Sequence, residues 1–237
     1  MLINIHKNNQ IKRIEAFADT HGRHREFHYD CAAADILVCA GDVCDWGDEA
    51  QLRDFFAWFA EQPARHKLFV AGNHDLPFCR KPKYAAQHYI PDGVACIENG
   101  GVTLNGVDFY VLPARLRLRE PLYLPQGVDV LVTHGAPSHI LDEDGRWGCP
   151  ILLDLVRKAQ PKIHIFGHVH ENGQQTTTLW KTNFYNVAEK ESSIVKIIDD
   201  VRYVEEPVKI KILDNSTKLY YDKEKAFKYI MDSMIKK

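Results

Sequence analysis

Five short apolar runs in this 237-residue chain each stop abruptly at a cluster of aspartate, asparagine or histidine. Ile14–Ala18 runs into Asp19, and Ile36–Ala40 into Gly41-Asp42. Lys67–Ala71 runs into Gly72-Asn73-His74-Asp75, and Val128–Thr133 into His134-Gly135. Ile163–Phe166 runs into Gly167-His168-Val169-His170. Short, nearly unbroken apolar runs read as buried strands. Asp48–Ala60 carries Phe, Trp and Ala at helical spacing, and Pro150–Ala159 opens with a proline suited to a first helical turn. Val102–Leu112 reads as a hairpin about Asn105-Gly106. Thr176–Trp180, Phe184–Ala188, Ile194–Ile198 and Val201–Ile212 form a β-rich stretch, and Lys218–Met234 reads as a closing helix. The pattern predicts an α/β fold. Open α/β sheets gather ligand sites outside the carboxyl ends of their strands. Asp19, His21, Asp42, Asn73, His74, His134, His168 and His170 are therefore expected along one edge.

The residue types narrow the chemistry. Imidazole mixed with carboxylate suits zinc, iron or manganese, and no thiolate set is present. Asp19, His21, Asp42, Asn73, His134, His168 and His170 are too many ligands for one tetrahedral ion. They suit two ions about 3.5–4 Å apart that share a carboxylate and clamp a displacement at phosphorus. Gly41, Gly72, Gly135 and Gly167 stand where the chain must turn sharply and let groups approach closely. Asp19 with His21, and His168 with His170, are spaced to point the same way from extended segments.

Asp19-Thr20-His21, Gly41-Asp42, Gly72-Asn73-His74-Asp75, Thr133-His134-Gly135 and Gly167-His168-Val169-His170 occur in one order. In that order the chain resembles the calcineurin-like metallophosphoesterases. The run THGAP…GCP…FGHVHE is similar to the metallophosphoesterase domain-containing branch, itself akin to class III cyclic nucleotide phosphodiesterases. The resemblance implies a four-layer α-β-β-α sandwich with a dimetal site at the carboxyl ends of the strands. Asp19, His21 and His170 would hold one ion; Asn73, His134 and His168 would hold the other; Asp42 would bridge them. A metal-bridging hydroxide would attack phosphorus. His74 would protonate or stabilise the leaving oxygen, with Asp45 orienting it. The implied cofactors are two divalent ions drawn from Mn, Fe, Zn, Ni or Co, with Mn favoured in vitro. Two departures argue against a serine/threonine protein phosphatase: Trp46 stands where those enzymes carry arginine, and Asp75 where they carry glutamate.

The expected activity is phosphodiester hydrolysis on nucleotides or other small molecules. A catalytically weak nucleotide-binding scaffold, a nuclease and a phosphomonoesterase are the alternatives. A net charge of −2 gives no global attraction for nucleic acid. No apolar window reaches the ~18–20 residues of a membrane span. The opening MLINIHKNNQIKR lacks a signal-peptide core, and the six cysteines contain no CxxC pair, so they read as reduced. A cytoplasmic protein is expected, as one domain over residues 1–237 with its core at about 12–198 and a strand-and-helix extension over 199–237. His139, His164 and Cys149 read as structural. Arg115, Arg117 and Arg119 read as one solvated face of an extended edge.

Overall fold

The computed structural model describes residues 1–79, 83–190, 208–211 and 217–220. Residues 1–190 form one compact unit and residues 191–237 a second. The first unit contains two sheets. One has the order β1(Leu2–Lys7), β2(Gln10–Phe17), β3(Ile36–Cys39), β4(His66–Phe69), β5(Val94–Cys96). The other runs β10(Gln175–Leu179), β11(Thr182–Asn186), β9(Ile163–Phe166), β8(Val130–Val132), β7(Val107–Val111), β6(Gly100–Leu104). Neighbours from β2 to β5, and from β7 through β8 and β9 to β11, pair in parallel, whereas β1, β6 and β10 pair antiparallel at the edges.

Alternating side chains place three apolar cores between four layers. Ile14, Ala16, Ile36, Val38 and Leu68 from one sheet meet Phe109, Val130, Val132, Ile163 and Ile165 from the other. The intervening residues Phe17, Leu37, Cys39 and Phe69 point outward onto Leu52, Phe55, Phe56 and Phe59 of helix α1(Glu49–Glu61). Leu131, Phe166 and Phe184 do the same against Leu152 and Val156 of helix α3(Pro150–Ala159). Burial on both faces explains why these strands read as continuous apolar runs. The chain is thus a helix-flanked two-sheet sandwich of the expected class.

The helices start where their caps dictate. Asp48 Oδ1 accepts from the amides of Ala50 and Gln51 at 2.9 and 3.0 Å. Cys149, read as structural, caps α3 through Sγ, which accepts from Leu152 N at 3.4 Å. The Asn105-Gly106 hairpin forms with positive φ at both residues, +48° and +78°. Helix α2(Leu76–Cys79), the 3₁₀ turn Lys83–Tyr89 and the edge strand β5 are additions to the expected elements. So is β1, joined to β2 through Asn8 and Asn9, both left-handed.

At the amino ends of the parallel strands, Lys7 binds Asp108 at 2.9 Å and also Asp129, whose other oxygen takes Lys162 at 2.8 Å. This ties the two sheets together opposite the polar edge. In the second unit, β12(Val208–Lys211) pairs antiparallel with β13(Thr217–Tyr220). Residues 218–220, expected in the closing helix, are therefore strand. The rest of that helix and the strand expected at 194–198 lie outside the described residues.

Candidate metal centre

All the polar clusters meet at the carboxyl edge, between the two sheets. Backbone hydrogen bonds lace the loops together. Asp19 N donates to Gly41 O at 2.8 Å and His21 N to Asp42 O at 3.1 Å. Gly167 N donates to His134 O at 2.8 Å, and Ala18 N to Val187 O at 3.0 Å, which joins one sheet to the other. The segments are not extended, as their spacing had suggested. Asp19, His21 and His168 take φ of +61°, +44° and +71°. A strand end that reverses at once into a buried site needs left-handed residues, which cost non-glycine residues about 1–2 kcal/mol each. His168 and His170 accordingly part company and face different clusters.

Two triads of ligand atoms result: Asp19 with His21 and His170, and Asp42 with His134 and His168. A third group, His21, Asp45 and His74, adjoins them. Asn73 joins the second triad, with Oδ1 at 3.0 Å from His134 Nε2. Each ligand carboxylate spends one oxygen on the backbone. Asp19 Oδ2 accepts from His168 N at 2.8 Å, and Asp42 Oδ1 accepts from His74 N at 2.7 Å. Close approach demands glycine here: a Cβ on Gly72 would stand 2.1 Å from Asp42 Oδ1, and one on Gly167 2.3 Å from Asp19 Oδ2.

The imidazoles are held for coordination. His134 Nδ1 lies 2.8 Å from Ala40 O and His170 Nδ1 2.9 Å from Glu189 O. A carbonyl only accepts, so both Nδ1 atoms carry a proton and each Nε2 is left to take a second proton or a cation. His134 Nε2 then faces Asp42 Oδ2 at 3.2 Å as well as Asn73 Oδ1. His170 Nε2 faces Asp19 Oδ1 at 3.6 Å. Lone pairs gathered like this repel unless a proton or a cation lies among them. Asp19 Oδ1 is buried with no hydrogen-bond partner, and burial pushes this carboxyl up to about 7. The donor set therefore fits divalent cations.

Asp45 does not hold His74 as expected. Its Oδ1 lies 3.1 Å from His21 Nδ1, so it orients a ligand histidine instead. Asp45 is itself placed by Gln51 of α1, whose Oε1 accepts from Asp45 N at 2.7 Å. His74 is fixed by rings: it packs on Trp46 at a centroid distance of 4.2 Å and edge-on against His21 at 4.8 Å. Its Nδ1 finds no partner among the described residues. Burial lowers His74 to about 4. His21 and His134 are raised to about 9: burial opposes the charge, but the Asp45 hydrogen bond with Asp42 outweighs it at His21, and Asp42 with Asp19 at His134.

Sequence reading missed Asp75 as a structural hub. Its buried carboxylate accepts from Asp42 N at 2.9 Å, Val43 N at 3.0 Å and Gly72 N at 2.8 Å. It binds the β3 and β4 loops, and its place beside Asn73-His74 was the available signal. Gln51 carried no such signal. Residues 113–119 form a loop, not an edge strand: Arg115 reaches Glu98 and Phe78 O, and Arg117 donates to Arg146 O at 2.7 Å.

Fold and site together define a two-sheet α/β protein with two metal-binding triads at its carboxyl edge. Residues 6–172 match the calcineurin-like phosphoesterase family, and the chain belongs to it. A UPF0046 protein of Caenorhabditis elegans is 32% identical over 182 residues, covering 65% of this chain and 62% of that protein. Human metallophosphoesterase domain-containing protein 1 is 28% identical over 199 residues, covering 67% and 60% respectively. The chain thus spans about three-fifths of the length of these curated relatives. A phosphopantetheinyl hydrolase from Mycobacterium tuberculosis shares the fold, with a TM-score of 0.51 at 15% identity over 75% of this chain and 89% of that one. Among the described residues, no helix is long and apolar enough to cross a membrane.

Proposed function

We propose that the chain is a dinuclear metal-dependent phosphodiesterase acting on nucleotides or other small phosphoesters. The observation that carries this reading is the pair of tautomer-locked imidazoles facing buried carboxylate oxygens. In this reading Asp19, His21 and His170 would hold one ion and Asn73, His134 and His168 the other, with Asp42 as the ligand they would share. Two bound cations would supply Lewis acidity, acidifying water and neutralising charge on phosphoryl oxygens. Manganese is favoured for activity in vitro. The remaining steps belong to the chain. Asp45 holds His21 in its coordinating tautomer. His74, walled by Trp46, donates a hydrogen bond or proton from a ring nitrogen to the leaving oxygen. Trp46 also supports a diesterase over a protein phosphatase, because it stands where the resemblance puts an arginine in protein phosphatases.

The similarity to metallophosphoesterase domain-containing protein 1 supports the branch akin to class III cyclic nucleotide phosphodiesterases. A single catalytic domain, extended after about residue 198, and a cytoplasmic location with the six cysteines as free thiols complete the proposal. The test is hydrolysis of bis-p-nitrophenyl phosphate by the full chain loaded in turn with Mn, Co, Ni, Zn and Fe. Metal-dependent turnover is expected; no turnover with any of them overturns the proposal.

A further inference from the structure

Read from the sequence as structural, His164 stands inside β9, where Ile163, Ile165 and Phe166 are apolar and its cross-strand neighbours are Leu131 and Phe184. It is fully buried, and its ring packs on those of Phe166 and Phe184 at centroid distances of 5.1 and 5.8 Å. Nε2 lies 2.9 Å from Thr133 Oγ1, which is itself 2.7 Å from Gly135 O. A carbonyl cannot donate, so the threonine proton goes to Gly135 and Nε2 donates to Thr133. Nδ1 is then a lone pair sealed from water, with no partner among the described residues. Burying a polar atom unpaired destabilises a fold. Leucine, close to histidine in volume, would suit these apolar surroundings without that loss. Packing alone gives no reason for an imidazole here; the bond to Thr133 does.

That bond leads to the metal centre, although His164 belongs to neither triad. Thr133 and Gly135 flank His134, so the hydrogen bond between them spans this residue. A hydroxyl proton rotates to suit its partners. Donation from His164 occupies a lone pair of Thr133 Oγ1 and thereby directs the proton to Gly135 O. His134 itself has little slack. Its Nδ1 lies 2.8 Å from Ala40 O, a Cβ on Gly41 would stand 2.9 Å from the same atom, and its carbonyl accepts from Gly167 N at 2.8 Å. Its Nε2 faces Asn73 Oδ1 and Asp42 Oδ2 at 3.0 and 3.2 Å. Bonds that orient a ligand from outside tune metal affinity by about 10–100-fold.

We infer that His164 is a positioning residue of the metal centre, holding His134 in place for its ion through Thr133 and Gly135. The inference rests on the proposed assignment of His134 as a ligand. Competition by graded EGTA on the manganese-loaded full chain, followed by metal analysis, gives the affinity for each ion. Urea denaturation of the same samples gives stability. His164→Leu should be at least as stable as the unaltered chain, yet hold one of the two ions about tenfold more weakly and the other unchanged. His164→Gln, whose amide can donate to Thr133 Oγ1, should regain most of that affinity. Thr133→Val should lose as much as His164→Leu, and the double variant no more than either. Two ions held by His164→Leu as tightly as by the unaltered chain overturn the inference. So does a His164→Gln variant as weak as His164→Leu, or an equal weakening of both ions in step with lost stability, which a packing role alone would produce. If His164→Leu does not fold, Thr133→Val decides alone, and undiminished affinity there overturns the inference. An unaltered chain that holds no manganese overturns the metal-dependent reading and the inference with it, which separates that failure from failure of the inference alone.

Discussion

Replacing Asp75 by alanine should cost more than replacing any of the proposed metal ligands. The carboxylate is fully buried and accepts three backbone amides, from Asp42, Val43 and Gly72, with the Cys44 thiol 3.5 Å away. Alanine fills none of that space with an acceptor and leaves three amides bare in a dry loop junction. At about 1–3 kcal/mol per stranded buried donor, the loss is roughly 3–9 kcal/mol. A whole domain is stable by only about 5–15 kcal/mol, so Asp75→Ala stands near the limit of folding. Asp75→Asn is the controlled perturbation. Its single carbonyl oxygen has two lone pairs and can keep two of the three amides. It loses one bond and the charge that strengthens the others, a cost on the order of 2–4 kcal/mol. Urea denaturation followed by tryptophan fluorescence gives the magnitude. Hydrogen exchange at the Asp42, Val43 and Gly72 amides gives the location. The reasoning fails if Asp75→Ala loses less than about 1 kcal/mol, or if those amides stay as protected as before.

The buried His164 should impose an acid limb on stability. Thr133 Oγ1 gives its proton to Gly135 O at 2.7 Å and so accepts from His164 Nε2 at 2.9 Å, leaving Nδ1 as a buried lone pair without a partner. Burial holds this imidazole at about 3 in the fold, below its ordinary 6.5. Its neutral form therefore stabilises the fold fully above the unfolded value, and that contribution drains away as pH falls toward the folded one. His164→Gln should lower the pH slope of stability between pH 6 and 4 by up to about 1.4 kcal/mol per unit, and an unchanged slope in denaturation series would contradict the assignment. Gly167→Ala should push Asp19 aside while leaving the far-ultraviolet circular dichroism intact; metal analysis should find fewer than two ions per chain, and a full complement would show that the close approach is dispensable. His74→Ala should retain both ions yet lower kcat by about 10²–10⁴, so a parallel loss of metal would mean that His74 serves the centre as a ligand.

Trp46 illustrates how the loops and the site depend on one another. Its φ of +49° would ordinarily favour glycine, yet that turn carries the indole onto His74. The backbone conformation costs about 1–2 kcal/mol, offset in part by a ring contact that, with the edge of His21, fixes the His74 imidazole.

Much of the architecture was legible because buried parallel strands write themselves as apolar runs and because their ends must turn. The helices Glu49–Glu61 and Pro150–Ala159 and the Asn105-Gly106 hairpin were equally plain, each resting on a cap or turn residue acting locally. The β1–β2 hairpin carried a readable signal as well, in the alternation of Ile3 and Ile5 and the Asn8-Asn9 turn. Helix Leu76–Cys79 and strand Val94–Cys96, at four and three residues, are too short to impose a period, and tertiary contacts stabilise them. Sequence alone determined which residue types stand at the strand ends, because ligand chemistry is a property of the side chain. Tertiary structure alone decided the tautomers, the pairing of Asp45 with His21 in place of His74, the separation of His168 from His170, and the hub at Asp75. Each of these depends on hydrogen bonds between segments 19 to 149 residues apart, closed only when two sheets bring left-handed loops together.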